Sequence, residues 1–182
     1  MIPVGYFAKR VEGRPDWLNA SYVADVYSVS DCVSEDFADY INYWKHNGYW
    51  FFDSPQIIQK VAEENGIDLT GTTLFFYEAH DLEFDDEVGQ WRTFTPEPSF
   101  ATQVSLPSDK TFEGYDVVTF SYGKMAEHSP LSCNSLATEL RTNQHCLLAS
   151  FEQTKQLIEA GKFQNSEPGP FRIFAVYSTE WP

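Results

Sequence analysis

Apolar residues at Phe37, Tyr40, Ile41 and Trp44 recur at i, i+3, i+4 and i+7, the spacing that places side chains on one stripe of a helix. Asn47 follows, a residue type that readily adopts the left-handed conformation ending a helix. Trp50, Phe51 and Phe52 then read as a short buried strand. Ser54 offers a hydroxyl to an orphaned backbone N–H, and Pro55 suits the first helical position, where its missing N–H costs nothing. Ile57, Ile58, Val61 and Ala62 give the next helix its apolar face, and Thr73 to His80 predicts a strand. The stretch Asp39 to Ser54 is the piece around which the rest of the chain is organised.

The pattern returns 96 positions later. Cys133, Leu136, Ala137 and Leu140 repeat the helical stripe, Asn143 falls on Asn47, and Cys146, Leu147 and Leu148 fall on the apolar triplet. Ser150 repeats the cap, Leu157 and Ile158 the following helix, and Phe171 to Ser178 the strand. Upstream, Asp25 to Ser30 (DVYSVS) resembles Asp116 to Ser121 (DVVTFS). The expected architecture is therefore α+β, or mixed α/β, with helices packed on a mixed or mostly antiparallel sheet. Two duplicated strand-helix-strand-helix-strand units, residues 22–84 and 113–182, are joined by 85–112 within one compact domain spanning 1–182. Val4 to Val11 adds a strand, and Glu78 to Trp91 a hairpin with an acidic tip. The groove between two such halves is a usual place for a site.

A chain of 182 residues buries roughly 70% of its unfolded surface, so neither disulfides nor a metal is needed for folding. Fifteen Phe, ten Tyr and five Trp supply the core, and some must remain exposed. A net charge of −15, from 27 acidic against 12 basic residues, repels phosphate backbones and anionic lipid. Nucleic acid and membranes are thus excluded as ligands, and a basic protein is the expected partner. There is no run of about 18 apolar residues for a spanning helix, and MIPVGYFAKRV lacks the apolar core of a signal peptide, which predicts a cytoplasmic location. Three cysteines are too few, and odd in number, for a disulfide framework.

Cys133 with His128 or His145 is the candidate catalytic set, because an imidazole beside a thiol can yield an activated thiolate. Two features weigh against it and against zinc at His128, Cys133, His145 and Cys146. The spacing H-x4-C-x11-H-C lacks the paired ligands that one turn supplies, and the repeat places both cysteines at core positions. Cys32 reads as exposed, but Asp31 beside it should raise its pKa. Glu78, Asp81, Glu83, Asp85, Asp86 and Glu87 resemble a calcium loop only until Asp86 takes the glycine position, and read instead as a solvated, partner-docking hairpin tip. His46 and Tyr49 are the members of the Tyr43–Trp50 aromatic group expected at the surface. Phosphate-loop, dinucleotide, nucleophile-elbow and H-E-x-x-H motifs are absent, so no metal or cofactor is assigned. The leading expectation is an acidic protein-binding or inhibitor-type module, in the manner of an immunity protein, rather than an enzyme. The alternative is a small cofactor-independent enzyme with a Cys/His site between the repeats.

Overall fold

Aromatic and β-branched residues run through β4 (Thr73–Asp85) and β7 (Phe171–Thr179), and these two strands pair antiparallel at the centre of the main sheet. β1 (Ile2–Lys9) flanks β4, β6 (Thr111–Thr119) flanks β7, and the order is β1-β4-β7-β6 with every pair antiparallel. β5 (Gln90–Thr93) closes the predicted acidic hairpin onto the far end of β4. Two short strands, β2 (Glu12–Gly13) and β3 (Asp25–Val26), form a separate ribbon. The computed structural model describes residues 1–33, 46–119 and 126–182. The stripe of Phe37, Tyr40, Ile41 and Trp44 lies outside these residues.

Helix α1 (Pro55–Asn65) packs on β1, and α3 (Phe151–Glu159) on β6 and β7. Ser150 Oγ accepts from Gln153 N at 3.1 Å, the expected cap, whereas Ser54 makes no such side-chain bond. The predicted helix around Cys133 to Leu140 is broken. Helix α2 (Pro130–Cys133) ends in one turn, Ser135 is left-handed at φ 59°, and Leu136–Thr138 forms a 3₁₀ turn. Ile58, Phe7, Phe52 and Phe76 fill one core cluster; Leu131, Ile158, Phe171 and Ile173 fill the other. Each such side chain stabilises the fold by about 1.5–3 kcal/mol relative to exposure.

Two loops are built alike. Asn47 Nδ2 donates to Val4 O at 2.8 Å, and its Oδ1 accepts from Tyr49 N and Phe51 N. Asn143 Nδ2 donates to Glu113 O at 2.6 Å, and its Oδ1 accepts from His145 N and Leu147 N. The left-handed residues are Trp50 (φ 65°) and Cys146 (φ 63°), not the asparagines, which act through their side chains. A left-handed residue interrupts extension, so the predicted strands at Trp50–Phe52 and Cys146–Leu148 shrink to single bridges, Phe52 with Tyr6 and Leu148 with Tyr115. Each bridge passes a bulged glycine. A Cβ on Gly5 would lie 2.6 Å from Phe52 O, and one on Gly114 2.6 Å from Leu147 Cβ.

The upstream match is different. Asp25–Val26 belongs to the small ribbon, while Asp116–Thr119 lies in β6, so DVYSVS and DVVTFS occupy unlike places. The strand placed like β6 is β1, which precedes residue 22. Alternation identifies a strand but not its partners, and the Asp, Val and Ser that the two short motifs have in common do not set a partner either.

Candidate functional site

Three segments far apart in sequence deliver the chemistry. Cys32 sits in the 3₁₀ turn Asp31–Val33. His128 is fixed by its backbone bridge to the end of β6, where Thr119 N donates to His128 O at 2.9 Å. Cys133 ends α2, which packs against both β6 and the turn bearing Cys32. Cys32 Sγ is 3.0 Å from His128 Nδ1 and 3.2 Å from Glu127 O. Ser30 Oγ lies 3.7 Å and Ser132 Oγ 3.9 Å from Cys133 Sγ.

A buried polar clamp sets the distance between the two loops. Asp116 is fully buried on β6, and one of its oxygens, Oδ2, accepts from Val29 N at 2.8 Å and from Ser129 Oγ at 2.6 Å. Ser129 Oγ in turn accepts from Ser30 N at 3.2 Å. The carboxylate therefore ties the residues just before Cys32 to the residue just after His128. From the other side Lys9 Nζ donates to the carbonyls of Ser28, Val29 and Ser30 at 2.8, 2.8 and 2.9 Å. A buried ammonium and a buried carboxylate are costly unless hydrogen-bonded, and here both are spanned by one tripeptide.

The electrostatics favour a thiolate at Cys32. A hydrogen bond from the Cys133 thiol, opposed by burial and assisted by Ser30 and His128, brings Cys32 down to about 5 from near 9. Cys133 moves the other way, its proton held by that same bond and by burial. The expectation of a raised Cys32 is thus overturned: the thiol is lowered. Burial pushes Asp116 up to about 6 against the pull of Ser129 and the two backbone N–H groups.

Cys32 Sγ, a ring nitrogen of His128 and Cys133 Sγ all lie within 4.8 Å of one another, the one group of three or more metal-type donors among the described residues. Two thiols and an imidazole are soft ligands that could also hold a zinc-like ion with a position left open.

Of the sequence candidates, His128 and Cys133 come together and His145 does not join them. His145 Nδ1 is 2.6 Å from Asp25 Oδ1, its Nε2 is 3.7 Å from Glu113, and its ring stacks on Tyr27 at 4.1 Å. Cys146 is buried and pushed up to about 12, chiefly by that burial. Cys32 is the member that the sequence reading set aside; the signal lay in the offset, since Cys32 stands 96 positions before His128, as Asn47 does before Asn143.

The proposed docking carboxylates are largely engaged within the molecule. Glu83 pairs with Arg172 and Arg92 at 2.7 and 2.8 Å, Asp85 with Arg92 at 2.6 Å, and Glu78 with Lys110 and Tyr177. Asp81 lies 3.1 Å from His80, and Asp86 covers Gly169, which leaves Glu87 exposed at the tip. His46 is half-buried and stacks on Trp50 at 3.9 Å. Tyr49, expected at the surface, is only 6% exposed and packs on Phe94.

Comparison with family models, curated proteins and solved structures finds no match to this chain. No helix among the described residues is long and apolar enough to cross a membrane.

Proposed function

We propose that the protein is a small thiol-dependent enzyme in which Cys32 is the nucleophile and His128 its acid–base partner. The observation that carries this reading is the 3.0 Å separation of Cys32 Sγ and His128 Nδ1, on an exposed cysteine whose neighbours stabilise the thiolate. A thiolate attacks an electrophilic centre without prior deprotonation, and an imidazole at hydrogen-bond distance can then protonate the leaving group. Asp116, Ser129 and Lys9 position the two loops.

We further infer that the site lies between two duplicated halves, each a strand, an Asn-anchored loop, a helix and a central strand. The paired loops of Asn47 and Asn143, the bulged Gly5 and Gly114, and the order β1-β4-β7-β6 support this reading. Cys32 and His128 are then matching positions of the two halves that meet at their junction.

Limited alkylation tests the proposal. With iodoacetamide well below one equivalent at pH 6.5, peptide mapping should place nearly all label on Cys32, and His128→Gln should slow it about tenfold or more. Label on Cys133 or Cys146 first, or spread equally over the three, would overturn it.

A further inference from the structure

We propose that Cys32 and Cys133 work as a two-electron dithiol couple that reduces a substrate disulfide, with Cys133 as the resolving thiol. The inference rests on the reading of Cys32 as nucleophile and gives that site its substrate class. Three observations carry it. The two sulfurs are within 4.8 Å, close enough for a change of one staggered rotamer to bring them to bonding distance. Their exposures differ in the useful sense: Cys32 is open to a substrate, and Cys133 lies half-buried behind it, flanked by Ser30 and Ser132. His128 stands against the sulfur that both steps share. An accessible sulfur beside a second, half-buried thiol is the arrangement used for reversible sulfur exchange.

The step balances without an outside oxidant or reductant. The Cys32 thiolate attacks one sulfur of the substrate disulfide, the substrate S–S bond breaks, and the departing thiolate takes a proton from His128. A mixed disulfide now joins Cys32 to half of the substrate. His128, now neutral, takes the proton of the Cys133 thiol. The resulting thiolate attacks Cys32 Sγ, forms the Cys32–Cys133 bond and releases the second substrate thiolate, which His128 protonates. The substrate has gained two electrons and two protons, and the protein dithiol has lost them.

Oxidised glutathione is a suitable probe for the reduced, full-length protein, read by intact mass and non-reducing peptide mapping. The wild type should lose two hydrogens and yield a peptide pair linked through Cys32 and Cys133. Cys133→Ser should instead retain one glutathione on Cys32, with at least a tenfold loss in release of the second thiol. If the wild type also stops at the mixed disulfide, or joins either cysteine to Cys146, the couple is wrong. In that case rapid, selective alkylation of Cys32 would still leave the nucleophile assignment standing. Failure of both measurements would remove the two together. The wild-type mapping does not depend on whether any variant folds.

Discussion

Asp116 decides how the reactive groups meet, although it touches neither. Its carboxylate accepts from Val29 N, Val117 N and Ser129 Oγ, so Asp116→Ala would leave three buried donors without their acceptor. A loss of about 2–4 kcal/mol is expected by urea denaturation. Asp116→Asn keeps the shape, and its diagnostic effect is on Cys32, whose alkylation midpoint should shift upward as the loops relax. A purely structural role would lower stability and leave that midpoint unchanged. The same carboxyl predicts a pH effect. Its value in the fold, about 6, exceeds the ordinary 3.8, so the folded state keeps a proton that the unfolded chain releases. Its contribution is complete below about pH 4 and lost as pH rises to about 6, with Lys9 and Cys146 the neighbouring groups that feel the charge. Urea midpoints of wild type and Asp116→Asn between pH 4 and 7 should diverge in this window and run parallel above it.

At the scale of elements, each of the two Asn-anchored loops leads from a sheet strand to a helix, the Asn47 loop to α1 and the Asn143 loop to α3. Asn143→Ala removes three hydrogen bonds of a part-buried loop, and Asn47→Ala removes their counterparts; each should cost about 2–3 kcal/mol by denaturation. Asn47 also donates to Asp53 Oδ1 at 3.2 Å, so its cost should match or moderately exceed that of Asn143; a loss confined to one loop would count against the duplication. These loops were legible from sequence as a recurring Asn, apolar triplet and Ser; the strand Phe171–Ser178 stops one residue before its observed end, whereas Thr73–His80 stops at His80 of a strand that runs on to Asp85. Register and partner choice were not legible, because a two-residue period is satisfied equally in the β2–β3 ribbon and in β6. The site was half-legible. His128 and Cys133 lie five residues apart and could be read together, whereas Cys32 is brought to them only by the long-range bonds of Val29 and Ser30 to Asp116 and Ser129. Its pKa was misjudged because Asp31 is a neighbour in sequence, while the Cys133 donor that dominates is a neighbour only in space.

For the whole molecule, the charge of −15 is a self-repulsion that salt screens over roughly 8–10 Å at physiological ionic strength. The thermal midpoint should therefore rise between low and moderate sodium chloride, and a fall would mean that internal pairs such as Glu83 with Arg172 and Arg92 outweigh the repulsion. Those pairs also engage Glu83 and Asp85 of the acidic hairpin within the molecule. What the fold does bring forward is the place beside the end of β6 where an exposed thiol, an imidazole and a half-buried thiol converge. The most direct test is the rate of Cys32 alkylation as a function of pH, followed by mass spectrometry on the reduced protein. A midpoint near 5 with a plateau through neutrality is the expected result. A rate that climbs only toward pH 9, as for an ordinary thiol, would contradict the assignment of Cys32 as an activated nucleophile.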